Sequence, residues 1–198
     1  MDHPVSLPPS AWITHRAALL QALHGGRRRD ALDLACGHGR HTRWLVQQGY
    51  HVTAVDRDAD ALASVARLGP QVSVLQADLE QGPWPLPGRR FDVVLVTHYL
   101  WRPLLPTLVD SLAPGGVLLY ETFAVGQASI GRPARADFLL QPGELLRVCA
   151  GLRVLAYEDG FDRAAPRFVQ RIVAWRAVDD PTGQPVRLPL AEPACSAG

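Results

Sequence analysis

The sequence predicts an α/β fold in which a doubly wound parallel sheet ends in an antiparallel hairpin. Three observations predict it. Short apolar runs alternate with helix-periodic runs from residue 31 to about residue 112, as strands joined by helical crossovers do. A glycine-containing turn, Cys36-Gly37-His38-Gly39, joins the first strand to the helix that follows it. The last two strand-like runs, roughly Arg153 to Glu158 and Arg167 to Ala177, have no helix between them, so they should pair antiparallel.

Each element follows from local sequence. Residues 10–24 read as one helix, with Ser10 as its cap and Trp12, Ile13, Leu19, Leu20 and Leu23 as its apolar positions. Ala31 to Ala35 is a short buried strand, and Arg40 to Gln48 is a helix ended by Gly49. His51 to Val55 is the second strand. Asp58 to Leu68 is the helix after it, stopped by Gly69-Pro70, and Val72 to Gln76 is the third strand. Leu79 to Arg90 holds three Pro and two Gly and reads as a loop where this architecture often has a helix. Phe91 to Val96 is the fourth strand. The helix from about Pro103 to Leu112 accommodates Pro103 and Pro106 only in its first turn. Pro114-Gly115-Gly116 turns the chain into the fifth strand, Val117 to Thr122, and a further helix starts near Pro142 with Glu144 at its third position.

Residues 1–177 are therefore expected to form one domain. The segment 178–198, interrupted by Pro181, Pro185, Pro189 and Pro193, is expected to be a flexible tail. The chain has 198 residues and 47% apolar content, enough to bury a core. All 20 of its basic residues are Arg, which excludes a phosphate-loop lysine, a Schiff base or a lysine general base. A net charge of +1 argues against binding nucleic acid mainly through a basic surface. Cys36, Cys149 and Cys195 match neither a metal spacing nor an even disulfide framework, and Cys149 lies in an apolar helical stretch as an inert thiol would. Met1 to Ser10 lacks the pattern of a signal peptide, and no apolar run reaches the ~20 residues of a membrane span. A cytoplasmic location is the expectation.

Three acids lie at or near successive carboxyl ends of strands: Asp33, Asp56 and Asp78. Singly, each is more simply a cap or turn residue. Together they sit where an open sheet binds ligands. Asp56 follows Gly39 by 17 residues, where a carboxylate can take both ribose hydroxyls, and Asp78 can accept from an adenine amino group. A dinucleotide fingerprint would place a third glycine where Thr42 stands, and Asp33 is out of place opposite a pyrophosphate. That acid suits the amine of an amino acid. An adenosine joined to an amino acid is S-adenosylmethionine.

The segments Ala31 to Arg40, Val55-Asp56, Ala77-Asp78-Leu79, Phe91 to Val96 and Leu112 to Gly116 resemble the successive motifs of class I S-adenosylmethionine-dependent methyltransferases. Within that class the chain is similar to small bacterial proteins related to tellurite-resistance methyltransferases. The resemblance spans roughly residues 28–176. It implies a Rossmann-like seven-stranded sheet of order 3-2-1-4-5-7-6 with the last strand antiparallel. It also implies roles. Asp33 and the turn Gly37, His38, Gly39 hold the methionine part, and Asp56 with Arg57 meets the ribose. Asp78 and the Leu79 amide meet the adenine, and the backbone near Thr97 meets the cofactor amine. Ala35 stands where the family has its first motif glycine, and it keeps a small residue.

The loop after the fourth strand, Thr97 to Arg102, faces the methyl group in such a fold. It lacks the Asn/Asp-Pro-Pro-aromatic run of similar DNA and amide N-methyltransferases, and it lacks the Pro-Cys of pyrimidine C5-methyltransferases. His98 is the first candidate for acceptor chemistry, either as a base for a thiol or hydroxyl or as a hydrogen-bond partner within the loop. Glu121, at the end of the fifth strand, is the second. Tyr99, Trp101, Arg102 and Arg132 are candidate acceptor contacts, with Arg135 beside them. The connection Ala124 to Gln141, about 18 residues without periodicity, reads as a lid. By analogy with the fold, the N-terminal helix with Trp12 and His15 covers the cofactor. Arg27-Arg28-Arg29 reads as a solvated turn, and His38 with His41 lacks a third ligand for a metal. The expected function is methyl transfer to a small-molecule thiol, hydroxyl or oxyanion, without a membrane or nucleic-acid partner. An RNA methyltransferase and a non-catalytic cofactor-binding subunit remain alternatives. A nicotinamide oxidoreductase is disfavoured by Thr42 and Asp33.

Overall fold

The computed structural model describes residues 7–24, 29–178 and 186–189. Its seven strands are β1 (Asp30–Leu34), β2 (His51–Asp56), β3 (Val72–Gln76), β4 (Phe91–Thr97), β5 (Leu112–Phe123), β6 (Arg153–Asp162) and β7 (Arg167–Trp175). They form one sheet in the order β3-β2-β1-β4-β5-β7-β6. Neighbours from β3 through β5 pair in parallel, whereas β7 pairs antiparallel with both β5 and β6. The terminal strand is therefore the reversed one, as the resemblance implies.

The central strands are buried on both faces because their side chains alternate between two apolar layers. Leu32, Leu34, Val94, Val96, Leu118 and Tyr120 face one layer, which packs against α5 (Leu105–Asp110) and α6 (Glu144–Val148). Ala31, Val93, Leu95, Val117 and Leu119 face the other, with α1 (Ala11–Thr14), α2 (Ala17–His24) and α3 (Arg40–Gln47). The helix α4 (Ala59–Val65) covers the β2 edge through Leu62 and Val65, and Asp58 caps it by accepting from the Asp60 and Ala61 amides.

Several expectations are corrected. The helix expected over 10–24 is two, broken at His15 and Arg16, and Ser10 makes no side-chain cap. Its hydroxyl instead donates to Glu121 Oε2 at 2.9 Å, because a buried carboxylate takes the nearest donor. The fifth strand starts at Leu112, five residues early. A register shift between Phe91 and Val93 absorbs Pro114-Gly115-Gly116, and Gly115 has φ +82°. A Cβ at Gly116 would lie 2.7 Å from the Phe91 carbonyl oxygen, so the bulge needs glycine there. The first hairpin strand continues to Asp162 rather than stopping at Glu158. Residues 79–90 form no helix or strand, and the chain there turns through its prolines.

Within the segment expected to be a flexible tail, Leu188 packs against the layer that contains Trp12 and Trp175. The remainder of that tail with Cys195, together with Met1 to Ser6, Arg27 and Arg28, lies outside the described residues. No described helix is long and apolar enough to cross a membrane.

Candidate active site

The strand-to-helix turn after β1 is built on left-handed backbone. Ala35 and Gly37 each have φ +52°, and Gly39 has φ +74°. The two glycines serve different needs. A Cβ at Gly39 would lie 2.7 Å from Val65 Cγ2, so this glycine lets α3 and α4 pack together. A Cβ at Gly37 would meet nothing within 4 Å, so its side is open to a ligand. His38 is exposed at the tip of the turn.

Beside this turn is a cleft of about 190 Å³ lined by Ala35, Asp56, Arg57, Ala77, Asp78, Leu79, Glu80 and Tyr99. The parallel register brings these residues together from the carboxyl ends of β1, β2, β3 and β4. Asp56 accepts from the Gly37 amide at 2.8 Å and the Asp58 amide at 3.0 Å. Each oxygen retains a lone pair for a ribose hydroxyl. Asp78 Oδ1 accepts from the Glu80 and Gln81 amides, so it does serve as a turn residue while its side chain lines the cleft. The Tyr99 hydroxyl is buried at this cleft and finds no hydrogen-bond partner among the described residues. Open backbone at Gly37, two carboxylates and an orphaned hydroxyl fit a nucleoside cofactor bearing amino and hydroxyl groups.

Asp33 is fully enclosed in β1, where Thr42 Oγ1 donates to it at 2.5 Å. Burial pushes its carboxyl up to about 7 against the lowering effect of the Thr42 bonds and Arg40. Thr97 is buried at the end of β4, its hydroxyl 3.2 Å from His41 Nδ1. His41 Nε2 accepts from the Ser10 amide at 3.0 Å, so the ring proton resides on Nδ1. Burial, with Arg40 and His98 adding to it, lowers this imidazole to about 3.

A second cleft of about 340 Å³ adjoins the first and shares Arg57, Glu80 and Tyr99 with it. Its further walls include His98, Leu100, Phe123, Pro133 and Phe138. His98 has φ +54°, an uncommon conformation for a residue with a side chain and a frequent one at active sites. Its amide donates to the Glu121 carbonyl at 2.9 Å, and its ring lies 4.9 Å from Phe123. Its Nδ1 lies 3.3 Å from Arg40 Nη2, and its Nε2 lies 2.7 Å from Arg167 Nη1. Burial and the charges of Arg40, Arg167 and Arg171 lower it to about 4.

Glu121 has no exposed surface, and both of its oxygens are engaged. Arg167 reaches Oε1 at 3.1 Å, and Arg171 Nε and the Ser10 hydroxyl reach Oε2 at 2.9 Å each. It anchors two arginines below the cleft and does not open onto it. Arg171 also pairs with Asp162 and with Glu158, whose other oxygen accepts from Trp12 Nε1 at 2.7 Å.

Of the remaining acceptor candidates, only Tyr99 lines this cleft. Arg102 is corrected from an anion clamp to a strut. It donates to Glu144 and to the Asp137 and Leu139 carbonyls, so it fastens the loop 124–141 to α6. Trp101 lines a neighbouring groove with Pro83, Trp84 and Leu104. Arg132 is exposed, and its carbonyl accepts from Gln127. Arg135 pairs with Asp137. Arg40, Arg167 and Arg171 gather around His98 and Glu121, and sequence reasoning singled out none of them. The available signal was register: Glu121 sits directly opposite Arg171 once β5 and β7 pair.

The family profile described as "Methyltransferase domain" matches residues 31–116. The trans-aconitate 2-methyltransferase of Azoarcus sp. (strain BH72) is 33% identical over 132 residues, covering 63% of this chain and 49% of that protein. The malonyl-[acyl-carrier protein] O-methyltransferase of Enterobacter lignolyticus is 34% identical over 118 residues, covering 54% and 44%. The chain thus spans about half the length of these relatives. The crystal structure of TehB from Haemophilus influenzae superposes with a TM-score of 0.60 at 20% identity, covering 80% of this chain and 61% of that one, which is a likeness of fold.

Proposed function

The chain contains a class I S-adenosylmethionine-dependent methyltransferase domain, and on that premise we propose that it methylates a small anionic acceptor, a carboxylate, held at His98, Arg40 and Arg167. Asp56 would hold the ribose hydroxyls, the Asp78 carboxylate and Leu79 amide the adenine, and Asp33 with the Gly37 to Gly39 backbone and Thr97 the amino-acid end. Ala35, His38 and Arg57 frame these contacts. Bound there, S-adenosylmethionine supplies a methyl group already activated on a sulfonium.

The observation that carries the acceptor class is the position of His98 between two guanidinium groups. A neutral imidazole has one acceptor nitrogen, so it satisfies only one of them. The other guanidinium faces a ring N–H, donor against donor. An oxyanion entering the second cleft would accept from both the ring N–H and the displaced arginine. A carboxylate is ionised at neutral pH and needs no base. A thiol of ordinary pKa would lose several kcal/mol in passing its proton to an imidazole held near 4. His98 is thus a positioning group here, and the similarity to a trans-aconitate 2-methyltransferase and a malonyl-[acyl-carrier protein] O-methyltransferase agrees with an oxygen acceptor.

Release of S-adenosylhomocysteine with carboxylate, thiol and alcohol panels tests this reading. At saturating S-adenosylmethionine, carboxylates should turn over at a rate nearly level from pH 6 to 9, and Arg167→Gln should raise their KM by about tenfold or more, the effect of one charged hydrogen bond. Turnover of thiols or alcohols alone, rising with pH through the acceptor's own pKa, would refute it.

A further inference from the structure

A cavity of about 500 Å³ lies along the β6 edge of the sheet, between α2, the start of β6 and residues 186–189. Its walls include His15, Arg16, Arg153, Leu155, Arg187 and Leu188 and, among the described residues, no acidic one. Arg153 to Ala156 pair with Trp175 to Val173, which pair with Val117 to Leu119 at the middle of β5, and the cavity shares no lining residue with the cofactor cleft. The cofactor cleft instead opens at the carboxyl ends of the parallel strands, so the two sites are distinct.

Arg16 is the unusual group. It is only 8% exposed, yet its side chain makes no hydrogen bond or ion pair among the described residues, and its Nε is fully enclosed. Its guanidinium stacks 4.6 Å from the Trp12 ring centroid, which orients the charge without neutralising it. The nearest influential carboxylate, Glu158, is already committed to Trp12 Nε1 and Arg171 Nη1. A buried cation that finds no partner among the described residues is costly, and two further arginines gathered around the same cavity add to that cost. A ligand that removes the cost must carry more than one negative charge and must accept several N–H bonds.

We propose that this cavity is a second binding site, specific for a small multivalent oxyanion that Arg16, Arg153 and Arg187 hold together. Phosphoryl and polycarboxylate groups share the required chemistry. The reading does not depend on the acceptor proposed above.

Calorimetric titration of the full chain with pyrophosphate, and separately with citrate, tests it. One equivalent of at least one of these anions should bind. Affinity should fall about tenfold in Arg16→Gln and in Arg153→Gln, the latter an exposed position whose change leaves the core intact. Binding in Arg167→Gln and affinity for S-adenosylhomocysteine in Arg153→Gln should stay within about twofold of wild type. Pyrophosphate alone would identify a phosphoryl ligand, citrate alone a polycarboxylate, and both the shared chemistry. Absence of binding by either anion, binding unchanged in Arg153→Gln, or binding lost in Arg167→Gln would overturn the proposal. The last result would place the anion in the acceptor cleft.

Discussion

Asp33 and His41 titrate in opposition. The Asp33 carboxyl is raised from 3.8 to about 7, so the folded state holds its proton more tightly than the unfolded chain does. Raising the pH from about 4 to 7 therefore removes stability, on the order of 1 kcal/mol per pH unit. His41 is lowered from 6.5 to about 3, so the folded state refuses a proton that the unfolded chain accepts below 6.5. Raising the pH over nearly the same window restores a similar amount. His98, lowered from 6.5 to about 4, acts in the same direction as His41, so Asp33 offsets only about one of the two histidine slopes in the wild type, and Asp33→Asn, which keeps an acceptor for Thr42, should uncover both. Melting curves at pH 5 and 7 should show a larger rise for the variant than for the wild type. An equal rise in both proteins would mean that Asp33 is ionised throughout. The proposed pairing of Asp33 with the cofactor ammonium also predicts that S-adenosylhomocysteine binds the wild type more tightly at pH 7 than at pH 5, by up to tenfold per unit, and binds Asp33→Asn with little pH dependence. The positions of Asp33, Asp56 and Asp78 at or near strand ends were legible in the sequence because the strand pattern fixes them. Arg167 and Arg171 were not, because their meaning lies in what Glu121 presents across the sheet.

At the scale of elements, the strands were read within a few residues, and the errors have physical causes. Ser10 looked like a cap until a buried carboxylate 111 positions away competed for its hydroxyl. Pro-Gly-Gly looked like the start of a strand until a register shift allowed pairing to begin before it. The connection 124–141 was correctly seen to lack periodicity, but its fastening was invisible. An isolated bridge between Ala124 and Leu140 and the four hydrogen bonds of Arg102 hold it over the acceptor cleft, to which it contributes Pro133 and Phe138. Arg102 is over a third exposed, so its ion pair contributes little to global stability. Its effect should be local. Arg102→Ala should leave the melting temperature within a few degrees and S-adenosylhomocysteine affinity unchanged, while proteolysis within 124–141 accelerates and the acceptor KM rises severalfold. Unchanged proteolysis would show that the 3-10 turns of the loop hold it without the arginine.

Across the whole molecule, Glu121 joins parts that are distant in sequence. It links α1 through Ser10, the end of β4 through the His98 amide, and β7 through Arg167 and Arg171. The order of the sheet was foreseeable because crossover handedness and a terminal hairpin leave few topologies. The N-terminal helix was placed over the cofactor by analogy, whereas His15 lines the cavity beside β6, and Ser10 and Trp12 hydrogen-bond to Glu121 and Glu158. A carboxylate buried at the center of the reversed strand pair draws donors from both sides. Its charge is what keeps Arg171, 90% enclosed, tolerable. Glu121→Gln preserves the shape and removes the charge, leaving Arg171 with Asp162 and the largely exposed Glu158. Breaking a buried pair in this way costs about 3 kcal/mol. Urea denaturation should show that loss with an unchanged slope, since the surface exposed on unfolding is the same. Affinity for S-adenosylhomocysteine should change less than threefold, because no described contact joins Glu121 to the first cleft. Acceptor turnover should fall at least tenfold as Arg167 loses its anchor beside His98. Turnover that survives while stability falls would confine Glu121 to the architecture and detach Arg167 from the acceptor. Stability that survives while turnover falls would mean that the carboxylate reaches the acceptor itself.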